Sequence, residues 1–126
     1  EQQQLQVNVL SLVQLCHGIG RRMATAGSGQ ILNVSSVSGF MPGPWQANYA
    51  ASKAAFETLL DCYALEVEKL GDTRVAIVDP GATRTAMRAK AYPGEDPASV
   101  KPPEDVAALV VGLLQKDFPT RTRERP

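Results

Sequence analysis

Two short apolar stretches, QILNVS at 30–35 and RVAIVD at 74–79, flank a longer segment of helical character. Both stretches are rich in β-branched residues, which is typical of strands buried in a parallel sheet. The segment between them predicts a helix from about Ala47 to Leu70, because apolar side chains recur at helical spacing at Phe56, Leu60, Tyr63, Val67 and Leu70. A strand, a helix and a strand in this order predict a right-handed parallel βαβ unit.

The sequence before the first strand predicts a further helix over residues 3–26. Its apolar residues step by three or four positions and line one face, at Leu5, Val9, Leu12, Cys16, Ile19 and Met23. The GSG segment at 27–29 then breaks the helix, because glycine disfavours helical backbone. Residues 36–46 contain several glycines and prolines, which predicts a loop between the first strand and the helix at 47–70.

Beyond the second strand, residues 82–102 form a long polar connection with little periodicity, of the kind that often acts as a functional lid. The PED segment at 103–105 predicts the start of a third helix running to about Leu114, because proline and acidic side chains favour a helix N-terminus. The charged segment 116–126 predicts a frayed tail. We expect residues 1–126 to form a single domain.

The composition excludes several classes of protein. The chain has 13 basic and 13 acidic side chains, without the basic excess that a nucleic-acid or anionic-membrane surface needs. No apolar run approaches the roughly 20 residues that span a bilayer. Two cysteines, Cys16 and Cys62, do not suggest a disulfide scaffold. We therefore expect a cytoplasmic protein with a small-molecule substrate, which does not bind nucleic acid or membranes.

Tyr49 and Lys53 stand four residues apart near the start of the predicted helix 47–70, so they share one face. An ammonium beside a phenol favours the phenolate and lowers the phenol pKa from about 10 toward neutrality. Such a tyrosine can exchange a proton with a substrate oxygen. Ser36 follows the first strand, at the sheet edge where α/β proteins bind ligands. The small residues of YAASKAA at 49–55 leave room for a flat ligand.

Four motifs occur in a familiar order: VNV at 7–9, ILNVSSVSG at 31–39, YAASK at 49–53 and DPGATRT at 79–85. Together they resemble the ordered motifs of the short-chain dehydrogenase/reductase family. The stretch at 80–101 is also similar to bacterial ketoacyl-carrier-protein-reductase-like members. The resemblance implies an NAD(P)-dependent oxidoreductase that transfers a hydride between nicotinamide and a carbonyl or alcohol substrate.

The resemblance also implies roles for the matching catalytic residues. Tyr49 would be the general acid/base, and Lys53 would lower its pKa and hold the nicotinamide ribose. Ser36 would orient the substrate oxygen, with Ser35 as the rival for this role; the thirteen-residue offset between Ser36 and Tyr49 matches the family pattern. Asn8 would hold a water that links Lys53 to a proton relay.

For the cofactor, the resemblance implies that Tyr49, Lys53, Pro80, Gly81 and Thr85 contact the nicotinamide end. Pro80 and Gly81 could also form a plain strand-ending turn. The residues that choose between NAD and NADP are not among the motifs found, so either cofactor fits. No metal site is expected.

Other polar and aromatic residues have simpler interpretations. His17 lacks the surrounding carboxylates or cysteines of a metal site, apart from Cys16 beside it. Trp45 and Tyr92 fit a substrate-pocket wall and ordinary packing equally well. Arg84 and Arg88 fit an exposed helix face better than a site for an anionic carrier.

The phosphate-binding half of the dinucleotide fold is missing from the motif series. GIGR at 18–21 resembles the tail of a phosphate-binding loop, but it falls inside the predicted helix 3–26 and follows no strand. We therefore expect a partial, doubly wound α/β Rossmann-type sheet of two strands, with the N-terminal half of the fold absent. Helices 3–26 and 47–70 would mediate a homo-oligomer. The alternative to an enzyme is a non-catalytic association module, or a fragment that needs an N-terminal half.

Overall fold

The computed structural model describes residues 6–35, 44–116 and 118–126. A π-helical turn, Gln6–Leu10, leads into the first α-helix. The helices are α1 (Ser11–Ala26), α2 (Pro44–Val67), α3 (Ala86–Ala91) and α4 (Pro103–Leu114), and the strands are β1 (Ser28–Val34), β2 (Asp72–Val78) and β3 (Thr122–Glu124). A short 3-10 turn, Pro97–Ser99, lies between α3 and α4.

The sheet has the order β1-β2-β3, and both pairings are parallel. β1 and β2 pair along their whole length, from Ser28 opposite Asp72 to Val34 opposite Val78. With α2 between them, these strands confirm the predicted parallel βαβ unit and the α/β class. The expected count of two strands is wrong for the described residues, because β3 adds a third beside β2.

The C-terminal segment is held against β2 by hydrogen bonds from both backbone and side chains. The hydroxyl of Thr120 accepts from the backbone N–H of Val75 at 3.1 Å, and the N–H of Arg121 donates to the Val75 carbonyl at 2.7 Å. Phe118, just before, is buried. This arrangement departs from the frayed tail predicted for residues 116–126. The sequence did not predict β3 because its residues are polar and form no apolar run. Its pairing with β2 is made by the backbone.

The core lies between the first two helices and the first two strands. Phe56, Leu60 and Ala64 of α2 pack with Val75 of β2. Partly buried side chains from α1, β1 and α2 complete the cluster, at Leu12, Cys16, Ile31 and Tyr63. The helical spacing predicted most of these contacts correctly.

Two predicted face residues do not belong to the core. α2 ends at Val67, so Leu70 lies in the following turn and is exposed. On α1, Ile19 is exposed and the neighbouring Gly20 is buried instead. A Cβ at Gly20 would collide with the phenol of Tyr63, so the glycine permits close approach of α1 and α2.

The ends of the elements follow local chemistry. Gly27 caps α1 in the left-handed conformation, with φ of 89°, as the glycine break predicts. α2 begins at Pro44, three residues before the predicted start at Ala47. The helix predicted from Pro103 to Leu114 is confirmed as α4. The 82–102 connection contains α3, and its two ends meet at a parallel bridge between Thr83 and Lys101.

Candidate active site

The carboxyl ends of β1 and β2 lie side by side, which is the sheet edge where α/β proteins bind ligands. The pairing continues one residue past β1, because the N–H of Ser35 donates to the carbonyl of Val78 at 2.8 Å. The predicted catalytic segment follows Ser35, and the predicted nicotinamide-contacting turn follows Asp79. The parallel register therefore places Ser35 and the turn after Asp79 at one edge.

Helix α2 and the turn before α1 bring two predicted site residues to this edge. The amide of Asn8 donates to the hydroxyl of Ser52 at 3.0 Å, and Ser52 is buried. The ammonium of Lys53 lies 3.5 Å from the carbonyl oxygen of Val34, the last residue of β1. Consecutive residues of α2 thus contact the Asn8 turn and the end of β1.

Lys53 is half-buried, and this burial changes the pKa of its ammonium. Burial lowers the pKa of the ammonium, because desolvation disfavours the charged form. Tyr49 lies on α2 one turn before Lys53. Ser36 and the side chain of Tyr49 lie outside the described part of the structure. The contact of Lys53 with the end of β1 nevertheless locates this end of α2 at the candidate site.

Ser35, the rival to Ser36, has its hydroxyl engaged elsewhere. It is 1% exposed and donates to a carboxylate oxygen of Glu57 at 2.5 Å. The other carboxylate oxygen of Glu57 pairs with the guanidinium of Arg123 from β3. A hydroxyl buried against a carboxylate is poorly placed to meet a substrate. This geometry favours Ser36 for the serine role, which stays a prediction.

The turn after β2 is held by a lysine from the far end of the 82–102 connection. The ammonium of Lys101 donates to the carbonyls of Pro80 at 2.6 Å and Ala82 at 2.8 Å. Gly81, between them, has φ of 67°, in the left-handed region that glycine tolerates. Its N–H donates to Asp79 at 3.1 Å. The predicted cofactor-contacting turn is therefore built with its backbone fixed from two sides.

Thr85 caps helix α3. Its hydroxyl oxygen accepts from the backbone N–H of Arg88 at 3.1 Å, which leaves the hydroxyl proton able to donate. Arg88 forms a two-point ion pair with Glu95, at 2.9 and 2.8 Å, and its guanidinium stacks 3.8 Å from the ring centre of Tyr92. The hydrogen bonds with Glu95 raise the pKa of Arg88 and lower that of Glu95. Arg88 is thus engaged within the loop, whereas the side chain of Arg84 is exposed.

Three charged residues near the site did not stand out in the sequence. Glu57 lies one turn after Lys53 on α2, and a carboxylate among Phe56 and Leu60 was the available signal. Arg123 and Lys101 gave no such signal, because their partners are distant in the chain. Only the folded chain joins them.

The described part of the chain has neither a candidate metal cluster nor a membrane-spanning helix. Among residues 6–35, 44–116 and 118–126, no group of histidine, cysteine or acidic side chains could hold a metal ion. His17 is exposed on α1. GIGR at 18–21 lies inside α1, as predicted. No described helix is both long and apolar enough to cross a bilayer.

Comparison with known proteins identifies the family. The model of the short chain dehydrogenase family matches residues 2–96. The chain belongs to this family. The oxidoreductase YciK of Escherichia coli (strain K12) is 35% identical over 118 residues, which cover 94% of this chain and 46% of YciK. The motifs of the sequence thus gave the correct family.

Solved structures agree with this assignment. A short chain dehydrogenase from Escherichia coli CFT073, complexed with NADPH, superposes with a TM-score of 0.80 at 32% identity, covering 96% of this chain and 50% of that one. A betaketoacyl-[ACP] reductase from Bacteroides thetaiotaomicron superposes with a TM-score of 0.73 at 23% identity, covering 96% of this chain and 49% of that one, and shows the fold alone. The chain spans about half the length of the relatives it matches.

Proposed function

We propose that this chain carries the catalytic part of an NAD(P)-dependent oxidoreductase that interconverts carbonyl and alcohol groups of small molecules in the cytoplasm. The observation that carries this proposal is the position of Lys53. Its ammonium lies 3.5 Å from the Val34 carbonyl at the ligand-binding edge of the sheet, one helical turn after Tyr49. A nearby cation is what a tyrosine needs in order to act as a general acid or base near neutral pH.

Each residue has a proposed part in proton transfer. Tyr49 donates its phenolic proton to the substrate oxygen in reduction and accepts one in oxidation. The ammonium of Lys53 stabilises the phenolate. Ser36 donates a hydrogen bond to the same substrate oxygen. Asn8, held through its amide to Ser52, binds the water through which Lys53 and Tyr49 regain a proton.

The turn after β2 fits a nicotinamide cofactor, which would supply or accept the hydride. The left-handed backbone of Gly81 favours a residue without a Cβ, and the hydrogen bonds from Lys101 hold the turn in one shape for the cofactor. A Cβ there would lie 3.1 Å from the Lys101 ammonium. We propose that Pro80, Gly81 and Thr85 contact the nicotinamide end and that Lys53 and Tyr49 contact its ribose. NAD and NADP fit these residues equally well.

Titration with NADH and NADPH tests the proposal. The purified chain, alone and mixed with an N-terminal half of a relative such as YciK, is titrated while nicotinamide fluorescence and melting temperature are recorded. We expect binding of at least one cofactor in one of these mixtures. No binding at millimolar concentration in either would contradict the proposal.

A tyrosine variant tests the chemistry. In a preparation that turns over, Tyr49→Phe should abolish carbonyl reduction and leave cofactor affinity nearly unchanged, because only the phenolic proton is lost. Tyr63→Phe is the matched control, since Tyr63 packs in the core, and it should retain turnover. Full activity of Tyr49→Phe would exclude the proposed acid/base.

A second candidate function, self-association, is favoured by one observation. α1 and the turn before it expose large apolar side chains at Val7, Leu10, Val13, Leu15 and Ile19, and α2 exposes Leu59 and Leu65. Such residues commonly mark an interface. We propose a homo-oligomer through these two helices, which makes stability dependent on concentration. Sedimentation should show an oligomer that Leu15→Glu dissociates; a wild-type monomer with cooperative melting at low micromolar concentration would count against it.

A further inference from the structure

Glu57 is a buried carboxylate placed where three elements meet. It is 5% exposed and lies on α2. One of its oxygens accepts from the Ser35 hydroxyl at the end of β1, and the other pairs with Arg123 of β3. Both oxygens therefore have a partner. The three residues, Ser35, Glu57 and Arg123, are called the Glu57 cluster below.

A buried carboxylate is a poor way to gain stability. Its desolvation costs several kcal/mol, and this cost is offset only if hydrogen bonds and an opposite charge are well placed. Apolar residues of similar volume often stabilise as well or better. The contribution specific to such a group is geometry, because its bonds fix the relative position of the elements that they join. In the Glu57 cluster these elements are α2, β1 and β3.

The cluster lies directly beside the candidate active site. Glu57 follows Lys53 by one helical turn on α2. Lys53 contacts the carbonyl of Val34, and Glu57 contacts the hydroxyl of Ser35, so α2 holds two consecutive residues of the chain. The N–H of Ser35 is held from the other side by Val78. Ser36 is the next residue.

We propose that Glu57 is a positioning residue of the active site, which fixes the end of β1 relative to α2. Its charge is balanced by Arg123, so that β3 takes part in placing the site. Glu57 touches neither substrate nor cofactor; it acts through Ser35 on the backbone that enters Ser36 and through α2 on Lys53. The proposal rests on the proposed function for the meaning of the site. The contacts by which Glu57 holds the end of β1 against α2, called the clamp below, are measurable without turnover.

Amide hydrogen exchange of Glu57→Gln tests the clamp in the full chain. The variant keeps the side-chain shape but loses the charge that strengthens both contacts. We expect exchange at the Ser35 amide to accelerate about tenfold or more relative to wild type, since a charge-assisted hydrogen bond at the end of β1 is weakened to a neutral one. Exchange at Val75 to Val78, in the centre of the sheet, should change much less. Glu66→Gln, an exposed glutamate on the same helix, is the matched control and should change neither.

The ratio between these two regions separates positioning from general stability. A purely structural role would accelerate exchange by the same factor at Ser35 and in β2, and that result would overturn the proposal. No change at Ser35 would overturn it as well. If Glu57→Gln does not fold, Ser35→Ala removes the same hydrogen bond and should give the same local pattern. In the double variant the two changes should be less than additive, because they break one contact.

Turnover distinguishes this proposal from the proposed function. In an active preparation, Glu57→Gln should lower kcat several-fold and leave KM for NADPH nearly unchanged, since the cofactor-contacting turn after β2 is intact. An inactive wild type with the local exchange pattern would contradict the proposed function and leave the clamp standing. An active wild type whose Glu57→Gln variant keeps full kcat would contradict the positioning role.

Discussion

β1 and β2 pair in parallel along their whole length, yet their side chains differ in burial. β2 has four consecutive buried residues, from Val75 to Val78. In β1 every residue from Ser28 to Val34 is partly or fully exposed, and Val34 is 43% exposed. Both strands are similarly apolar, so composition does not explain the difference.

The difference in burial follows from the number of strands that pair with β1 and with β2 in the described sheet. β2 is the central strand of the described sheet, with β1 on one side and β3 on the other. β1 is an edge strand, paired on one side. In open parallel sheets an apolar strand is normally covered on both sides and faces. The comparison therefore shows β1 as the less covered of the two strands in the described sheet.

The largest effect is expected at Phe118, in the segment that leads into β3, the second neighbour of β2. Phe118 is 3% exposed and precedes the residues that bond to Val75. Phe118→Ala should lower the free energy of unfolding by about 3–5 kcal/mol, because it would leave a large cavity at a buried position. Chemical denaturation measures the loss. Leu114→Ala, at a half-exposed position of α4, is the control and should cost about 1 kcal/mol or less.

Matched isoleucines in the two strands test the comparison directly. Ile77 of β2 is 4% exposed, whereas Ile31 of β1 is partly buried. Ile77→Ala should cost about 2–5 kcal/mol, and Ile31→Ala about 1–2 kcal/mol, because less apolar area leaves water there. Denaturant midpoints at one protein concentration give both values. Equal losses would mean that β1 is covered in solution, for example by self-association.

The sequence predicted the βαβ unit well, for a physical reason. Packing of α2 against β1 and β2 requires apolar side chains at helical spacing in the helix and short apolar runs in the strands, and this leaves a readable pattern. The same pattern placed Tyr49 and Lys53 on one helix. The ordered motifs then gave the family. The apolar spacing and the motifs behind these predictions are local in the chain or repeat along it.

The features that the sequence did not predict depend on contacts between distant or polar residues. β3 consists of Thr122, Arg123 and Glu124, which carry no apolar signal, and its pairing with β2 is made by the backbone. Lys101 reaches Pro80 across 21 residues. The charge of Glu57 favours an exposed helix position, and its two partners, Ser35 and Arg123, are distant from it in the chain. Charge, taken alone, predicts exposure in each case.

The two strands also end differently, and a glycine variant sharpens this contrast. The end of β1 is held by side chains of α2, while β2 leads into a turn whose Gly81 has φ of 67°. Gly81→Ala should cost about 1–2 kcal/mol, since a side chain strains left-handed backbone. Thermal unfolding measures the loss. Gly94→Ala, where no atom lies within 4 Å of a Cβ, is the control and should be near neutral; equal effects of the two variants would exclude backbone strain at Gly81.

The smallest expected effect is the pH dependence contributed by Lys53 at the end of β1. Burial lowers the pKa of this ammonium below its ordinary value of 10.5. Between the lowered pKa and 10.5 the unfolded chain binds more protons than the folded one, so this group makes the free energy of unfolding rise with pH. Below that window the ammonium is charged in both states, and its desolvation cost is fully present.

Lys53→Met removes this contribution. The free energy of unfolding of wild type, minus that of the variant, should therefore increase as the pH is raised from 7 toward 10.5, by a small amount because solvent still screens a half-buried ammonium. Chemical denaturation at several pH values measures both. Lys69→Met, at an exposed lysine in the turn after α2, controls for the loss of a surface charge. Parallel profiles for wild type and Lys53→Met would show that the end of β1 leaves this ammonium as hydrated as in the unfolded chain.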